Sequence, residues 1–133
     1  MAERRHASSG SPFEGRIGFS RAVRVGSRVL VSGTGPVWPD GSCDPSAEVQ
    51  ARRCFEIAGA ALDDLGAGLA DVVRTRMYLV DAADWEAVGR VHGELFADVR
   101  PAATMLVVAG LLDPRWRVEV EVEAVVGGGA PTA

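Results

Sequence analysis

The most regular stretch of the chain is Trp116–Val126, WRVEVEVEAVV, where Trp116, Val118, Val120, Val122, Ala124 and Val126 alternate with Arg117, Glu119, Glu121 and Glu123. A two-residue period sends alternate side chains to opposite sides of a strand, so the segment predicts a β-strand with one apolar and one charged face. Asp71–Val80, DVVRTRMYLV, repeats the pattern, with Val73, Thr75, Met77 and Leu79 on one side and Arg74, Arg76 and Tyr78 on the other. Three carboxylates in a row repel one another, and Arg74 and Arg76 are their natural partners if the two strands are neighbours. Upstream, RAVRV and RVLVS flank Gly26-Ser27 and predict a β-hairpin.

Two stretches carry a helical period instead. From an N-cap at Asp44, with Pro45 in the first turn, to a stop at Gly66, apolar residues including Ala51, Cys54, Phe55, Ala58, Leu62 and Leu65 form one stripe. A second helix, capped by Asp81 or Asp84, carries Trp85, Val88, His92, Leu95 and Phe96 on its apolar face. It must stop before Pro101, because proline lacks a backbone donor and disfavours helical geometry at Arg100. His92 reads as a packed histidine. A strand, Thr104–Ala109, follows, and the small residues Ala102, Ala103 and Thr104 at its mouth leave space beside the sheet where a ligand can sit.

The order of elements is therefore strand, strand, helix, strand, helix, strand, strand, which predicts an α+β fold with a mixed sheet and two helices on one face. The uncovered face is expected to meet the same face of other copies, making a homo-oligomer. Residues 1–14 are polar and aperiodic and read as a loose tail, 15–127 as a single domain, and 128–133 as a flexible end.

Composition sharpens this picture. With 133 residues, 47% of them hydrophobic, the chain has enough apolar mass for a real core. The formal charge of −4 gives no electrostatic reason to bind nucleic acid. There is no apolar run of membrane-spanning length and no signal-peptide pattern, so no membrane association and a cytoplasmic location are expected. The cysteines (Cys43, Cys54) and histidines (His6, His92) lack metal-ligand spacing, so no metal site is expected. In Ser32-Gly33-Thr34-Gly35-Pro36 the glycines allow close approach to the backbone, and two hydroxyls are available. The segment has neither phosphate-loop nor esterase-elbow spacing.

Taken together, Gly18-Phe19-Ser20-Arg21-Ala22-Val23, Val31-Ser32-Gly33-Thr34, Asp71-Val72-Val73-Arg74, Arg100-Pro101-Ala102 and Val118-Glu119-Val120-Glu121 resemble the Rid (YjgF/YER057c/UK114) family in order and spacing. The resemblance covers Gly15 to Gly127. It implies a chorismate-mutase-like fold, a homotrimer around a central barrel, and small-molecule sites in the clefts between subunits. It further implies hydrolysis of reactive enamines and imines without metal or organic cofactor. The family's hallmark arginine, two residues after the turn proline, grips the substrate carboxylate, but here that position is Ala103. Alanine neither carries charge nor donates, so the chain resembles the arginine-lacking subgroups.

Other positions carried over by the resemblance are Phe19, in place of a frequent tyrosine, and Ser32 and Gly33 at the strand end. Glu119 matches the water-positioning glutamate, with Glu121 as the alternative. Gly89 stands where some members have asparagine. Thr104 and Met105 flank the cleft with Ala103, and Trp116 or Trp38 of a neighbouring copy supplies a further wall. Arg16, Arg21 and Arg76 are the candidates to replace the missing arginine. Three functions follow: an enamine or imine deaminase with altered specificity, a non-catalytic trimer that binds a small metabolite, and the endoribonuclease of the family's older label. The last needs an RNA-binding surface, for which the acidic chain shows no basic and aromatic stripe.

Overall fold

The computed structural model describes residues 3–127. The end expected at 128–133 lies outside the described residues. In chain order the elements are β1 (Arg4–Ala7), α1 (Pro12–Ile17), β2 (Ala22–Val25), β3 (Arg28–Thr34), α2 (Ala47–Asp64), β4 (Val72–Leu79), α3 (Trp85–Phe96), β5 (Ala102–Val107) and β6 (Val118–Val125). The strands form one mixed sheet in the order β1-β2-β3-β6-β4-β5, with β4 and β5 parallel and every other pair antiparallel.

The period-two reading of β6 holds along its length, because Val118, Val120, Val122 and Ala124 are buried while the residues between them stay partly open. Helices α2 and α3 pack against each other, and α2 lies on β3 and β6. Phe55, Leu62, Phe96 and Leu79 are fully buried at their junction, each contributing roughly 1.5–3 kcal/mol of apolar burial. His92 is a packed residue there, with Nε2 2.8 Å from Thr75 Oγ1 and its ring against Phe55 and Phe96. Burial pushes its pKa down. On the helix-free face Arg76 pairs with Glu121 at 3.6 Å and Glu123 at 3.4 Å, as the alternation implied. Tyr78 donates to Glu121. Among the described residues Arg74 makes no ion pair.

Several expectations are corrected. Residues 4–7, read as part of a loose tail, form β1 on the edge of the sheet, and Ser11 caps α1 ahead of Pro12. The strand was invisible in the sequence because RRHA has no apolar alternation and is held by pairing with β2. Helix α2 is capped by Ser46 and not by Asp44, which accepts instead from the Ser46 amide. Its end is as expected: Gly66 takes a positive φ, with Gly66 N–H donating to Asp63 O and Ala67 N–H to Leu62 O. An irregularity between Val72 and Arg74 buries Val72 and leaves Val73 45% exposed, out of its expected face. Trp85, assigned to the apolar stripe of α3, is 59% exposed because it lies in the first turn, while Val91 takes a buried place on that face. Strand β5 starts at Ala102, two residues earlier than expected, and ends at Val107.

Candidate functional site

The site begins with a local irregularity in the sheet. Val31 pairs with Val122 and Thr34 with Val120, so β3 carries one more residue than β6 across this interval. Such a bulge bends the strand and re-aims its side chains. Ser32 is tied back by its hydroxyl, which donates to Ser20 O at 2.6 Å, and by its amide, which donates to Arg21 O at 2.9 Å. Gly33 leaves space for Glu119, since a Cβ there would stand 2.5 Å from Glu119 Oε2. Gly35 does the same for Trp116, with a Cβ falling 2.5 Å from the nearest ring carbons. The glycines of the SGTGP segment are thus covered by two large side chains of the same protomer.

Beside this bulge lies a cavity of about 380 Å³. Its polar side is formed by Arg21, Ser32, Thr34 and Glu119, and its apolar side by Phe13, Phe19, Ile57, Leu112 and Trp116. Phe13 and Trp116 meet edge to face, with ring centroids 6.5 Å apart. Ser9 and Ser11, from the segment between β1 and α1, complete the rim.

Two carboxylates behave differently here. Glu14, on α1, is buried, and accepts from the Ser9 hydroxyl at 2.5 Å, the Ser9 amide at 3.2 Å and Arg21 Nε at 3.4 Å. Burial pushes its pKa up, but hydrogen bonds from Ser9 and Ser8 and the charge of Arg21 outweigh that and hold it below the usual glutamate value. Glu119 accepts no side-chain or backbone hydrogen bond among the described residues. Burial raises its pKa, Arg21 opposes the rise, and the neighbouring Glu121 charge adds to it. A half-buried carboxyl with raised proton affinity is suited to taking up and returning protons.

Of the residues predicted from sequence, Phe19, Ser32, Gly33 and Glu119 line this one cavity. Glu119 borders it, whereas Glu121 is engaged by Tyr78 and Arg76. Among the candidate arginines, Arg21 lies in the cavity wall, Arg76 belongs to the glutamate face of the sheet, and Arg16 is exposed on α1. Ala103, Thr104 and Met105 are not in this cavity. They sit on β5 at the far edge of the sheet, with β4 between them and β6, in register with Thr75, Arg76 and Met77. Trp116 walls the cavity from within the same chain.

Phe13, Glu14 and the two rim serines were missed by sequence reasoning. The signal was present, because Ser11-Pro12 is a capping residue followed by an N1 proline, the same kind of signature as Asp44-Pro45. Among the described residues no group of three or more His, Cys, Asp or Glu is placed to hold a metal ion.

Comparison with known proteins covers nearly the whole described chain. Residues 11–126 match the family described as Endoribonuclease L-PSP. An uncharacterised Streptomyces coelicolor protein, SCO2049, is 46% identical over 123 residues, covering 90% of each chain. The 2-iminobutanoate/2-iminopropanoate deaminase of Salmonella typhimurium is 30% identical over 111 residues, covering 80% of this chain and 84% of the enzyme. Among solved structures, Rv2704 of Mycobacterium tuberculosis, a YjgF/YER057c/UK114 protein, superposes with a TM-score of 0.86 at 41% identity, covering 93% of this chain and all of the other.

Proposed function

The chain belongs to the Endoribonuclease L-PSP family, the YjgF/YER057c/UK114 or Rid family of the sequence resemblance, and from that membership we propose that it hydrolyses a small imine or enamine at the Glu119 cavity. The observation that carries this reading is Glu119 itself, a half-buried carboxyl of raised proton affinity at the wall of a cavity, with no side chain occupying its oxygens. The Salmonella relative's activity adds to it.

Water placed against Glu119 gives up a proton to the carboxylate as its oxygen bonds to the imine carbon. The proton is then returned to nitrogen to give a carbinolamine, and as the carbon–nitrogen bond breaks the hydroxyl proton passes to the leaving nitrogen, giving a carbonyl compound and ammonia. Ser32 and Gly33 position the reacting group at the bulge, and Phe19 forms the wall opposite. Ala103, Thr104 and Met105, remote within one protomer, are assigned to the cleft by assembly of a homotrimer through the helix-free face, where Leu30 and Leu106 are 42% and 49% exposed.

A second reading, a trimer that binds a metabolite without turnover, is favoured by one observation, the alanine at position 103 where the family's carboxylate-gripping arginine is expected. Ammonia release from a panel of enzymatically generated imines separates the two. Activity in the wild type that disappears in Glu119→Ala supports the hydrolase. Inactivity in the wild type, with activity only in Ala103→Arg, overturns it in favour of the binding protein.

A further inference from the structure

The cavity is lined by two charged groups of opposite sign, and they differ in how far the protein already engages them. Arg21 is 5% exposed. Its Nη1 donates to Gly33 O at 2.5 Å and Thr34 Oγ1 at 3.0 Å, and its Nε to Glu14 at 3.4 Å. Its guanidinium carbon stands 5.4 Å from the centroid of the Phe19 ring. The charge of Arg21 is therefore balanced by Glu14, and with Nε and Nη1 engaged inside the protein only Nη2 is without a partner among the described residues, so a bidentate grip on a substrate carboxylate is not on offer. Glu119 has the reverse character, with unpartnered acceptors facing the cavity.

A ligand carboxylate placed here would meet the like charge of Glu119 beside a cation, Arg21, that is already paired with Glu14, and like-charge contact in a partly desolvated site is costly. A nitrogen bearing hydrogens, neutral or cationic, meets an acceptor. The remaining walls are rings. Phe13, Phe19 and Trp116 present aromatic surface that takes apolar groups and tolerates a cation over a ring face.

We infer that the cavity selects an imine or iminium whose carbon bears an aryl or comparable apolar group and no carboxylate. This rests on the imine-hydrolysing reading of the same cavity and specifies its substrate class. The reaction is R–CH=NH₂⁺ plus water giving R–CHO plus NH₄⁺. The new bond is carbon to water oxygen, the bond broken is carbon to nitrogen, and no oxidant or reductant is required. The class of reaction that supplies such a substrate is the oxidation of a primary amine, as distinct from the oxidation or dehydration of an amino acid.

A matched pair tests this. The imine of 2-phenylethylamine, generated with a flavin amine oxidase, and the imine of phenylalanine, generated with an amino-acid oxidase, differ only by the carboxylate. The expected result is acceleration of the first over its spontaneous hydrolysis by about tenfold or more relative to the second. In parallel, calorimetry compares two stable probes of one skeleton, 2-phenylethylamine and 3-phenylpropionate. The amine is expected to bind about tenfold more tightly, and Glu119→Gln to reduce that preference to within about twofold. Preference for the amine without acceleration of either imine leaves the ligand class standing and removes the hydrolase reading. Equal or stronger binding of 3-phenylpropionate, binding of neither probe, or faster turnover of the phenylalanine imine overturns the ligand class.

Discussion

Glu119 occupies the space that a side chain at Gly33 would need: its Oε2 lies 2.5 Å from the position of a Cβ built there. The atom in the way is the end of a flexible side chain, and Gly33 is not among the glycines of positive φ. Gly33→Ala is therefore expected to fold with nearly unchanged thermal stability while swinging the carboxylate away from its place beside the bulge. A displacement of about an ångström at a reacting group costs on the order of a hundredfold. Loss of imine hydrolysis of that size without a fall in Tm is the expected result, and a fully active variant would contradict the placement of Glu119.

At Gly35 the same substitution meets a different neighbour. The Cβ would stand 2.5 Å from carbons of the Trp116 ring, which is buried and packed edge to face with Phe13. The ring has nowhere to go without disturbing the cavity wall. Gly35→Ala is expected to destabilise the fold by about 1–3 kcal/mol, as overpacking does elsewhere, read by chemical denaturation.

Glu119→Gln separates activity from stability. Replacing the proton acceptor is expected to lower kcat by about 10²–10⁴-fold. In the wild type the active form is the carboxylate, so the rate falls as pH falls through its folded pKa, which lies above that of an ordinary glutamate because of burial. For stability the sign is opposite. A carboxyl whose pKa is raised by folding contributes its stability below the unfolded value, and loses it as pH rises through the folded value. The neutral glutamine escapes that loss, so the variant's Tm relative to wild type is expected to rise with pH across that window.

Arg21 and Glu14 form a buried pair, with side chains 6% and 8% exposed. Removing one partner strands the other charge, so Arg21→Met is expected to cost about 3 kcal/mol. The double variant Arg21→Met with Glu14→Gln is expected to cost less than the sum of the single changes, read in a double-mutant cycle by denaturant unfolding. The depressed pKa of Glu14 gives its stability above the unfolded-state value, and that stability is lost as pH falls through the folded value. Glu14→Gln should flatten the acid limb of the wild-type stability curve.

The helix-free face supplies a test of assembly. Leu106 is 49% exposed on β5, an edge strand of the sheet. If this face meets other copies, Leu106→Asp places an unpaired charge in an apolar contact and is expected to shift the protein toward monomer in sedimentation, while leaving its helical content intact. An unchanged sedimentation coefficient would count against assembly through this face.

Much of the frame was legible because burial on one side of a strand or helix leaves a period. The alternation through Val118, Val120 and Val122, the stripe of α2 and the stop at Gly66 all record one-sided burial in the sequence. Where contacts are not periodic, the sequence was silent. Strand β1 is held by pairing with β2, Val73 is turned outward by an irregularity in the ladder, and Phe13 is a lone apolar residue whose partner, Trp116, lies about a hundred residues away. The candidate site divides the same way. Phe19, Ser32, Gly33 and Glu119 line one cavity, whereas the small residues opening β5 sit two strands from β6.

The position of β6 sets the order in which the molecule can be completed. Last of the strands among the described residues, it lies between β3 and β4 and among those residues is the strand that links the two halves of the sheet. Until it leaves the ribosome, β1-β2-β3 and β4-β5 are separate pieces, each with an open edge where β6 belongs. The pairings that join them span up to roughly a hundred residues of chain, which makes closure slow compared with the local helices and hairpin. Glu119 arrives with that closing strand, so a growing chain holds no assembled cavity, and its interval of greatest vulnerability to edge-to-edge aggregation ends when β6 enters.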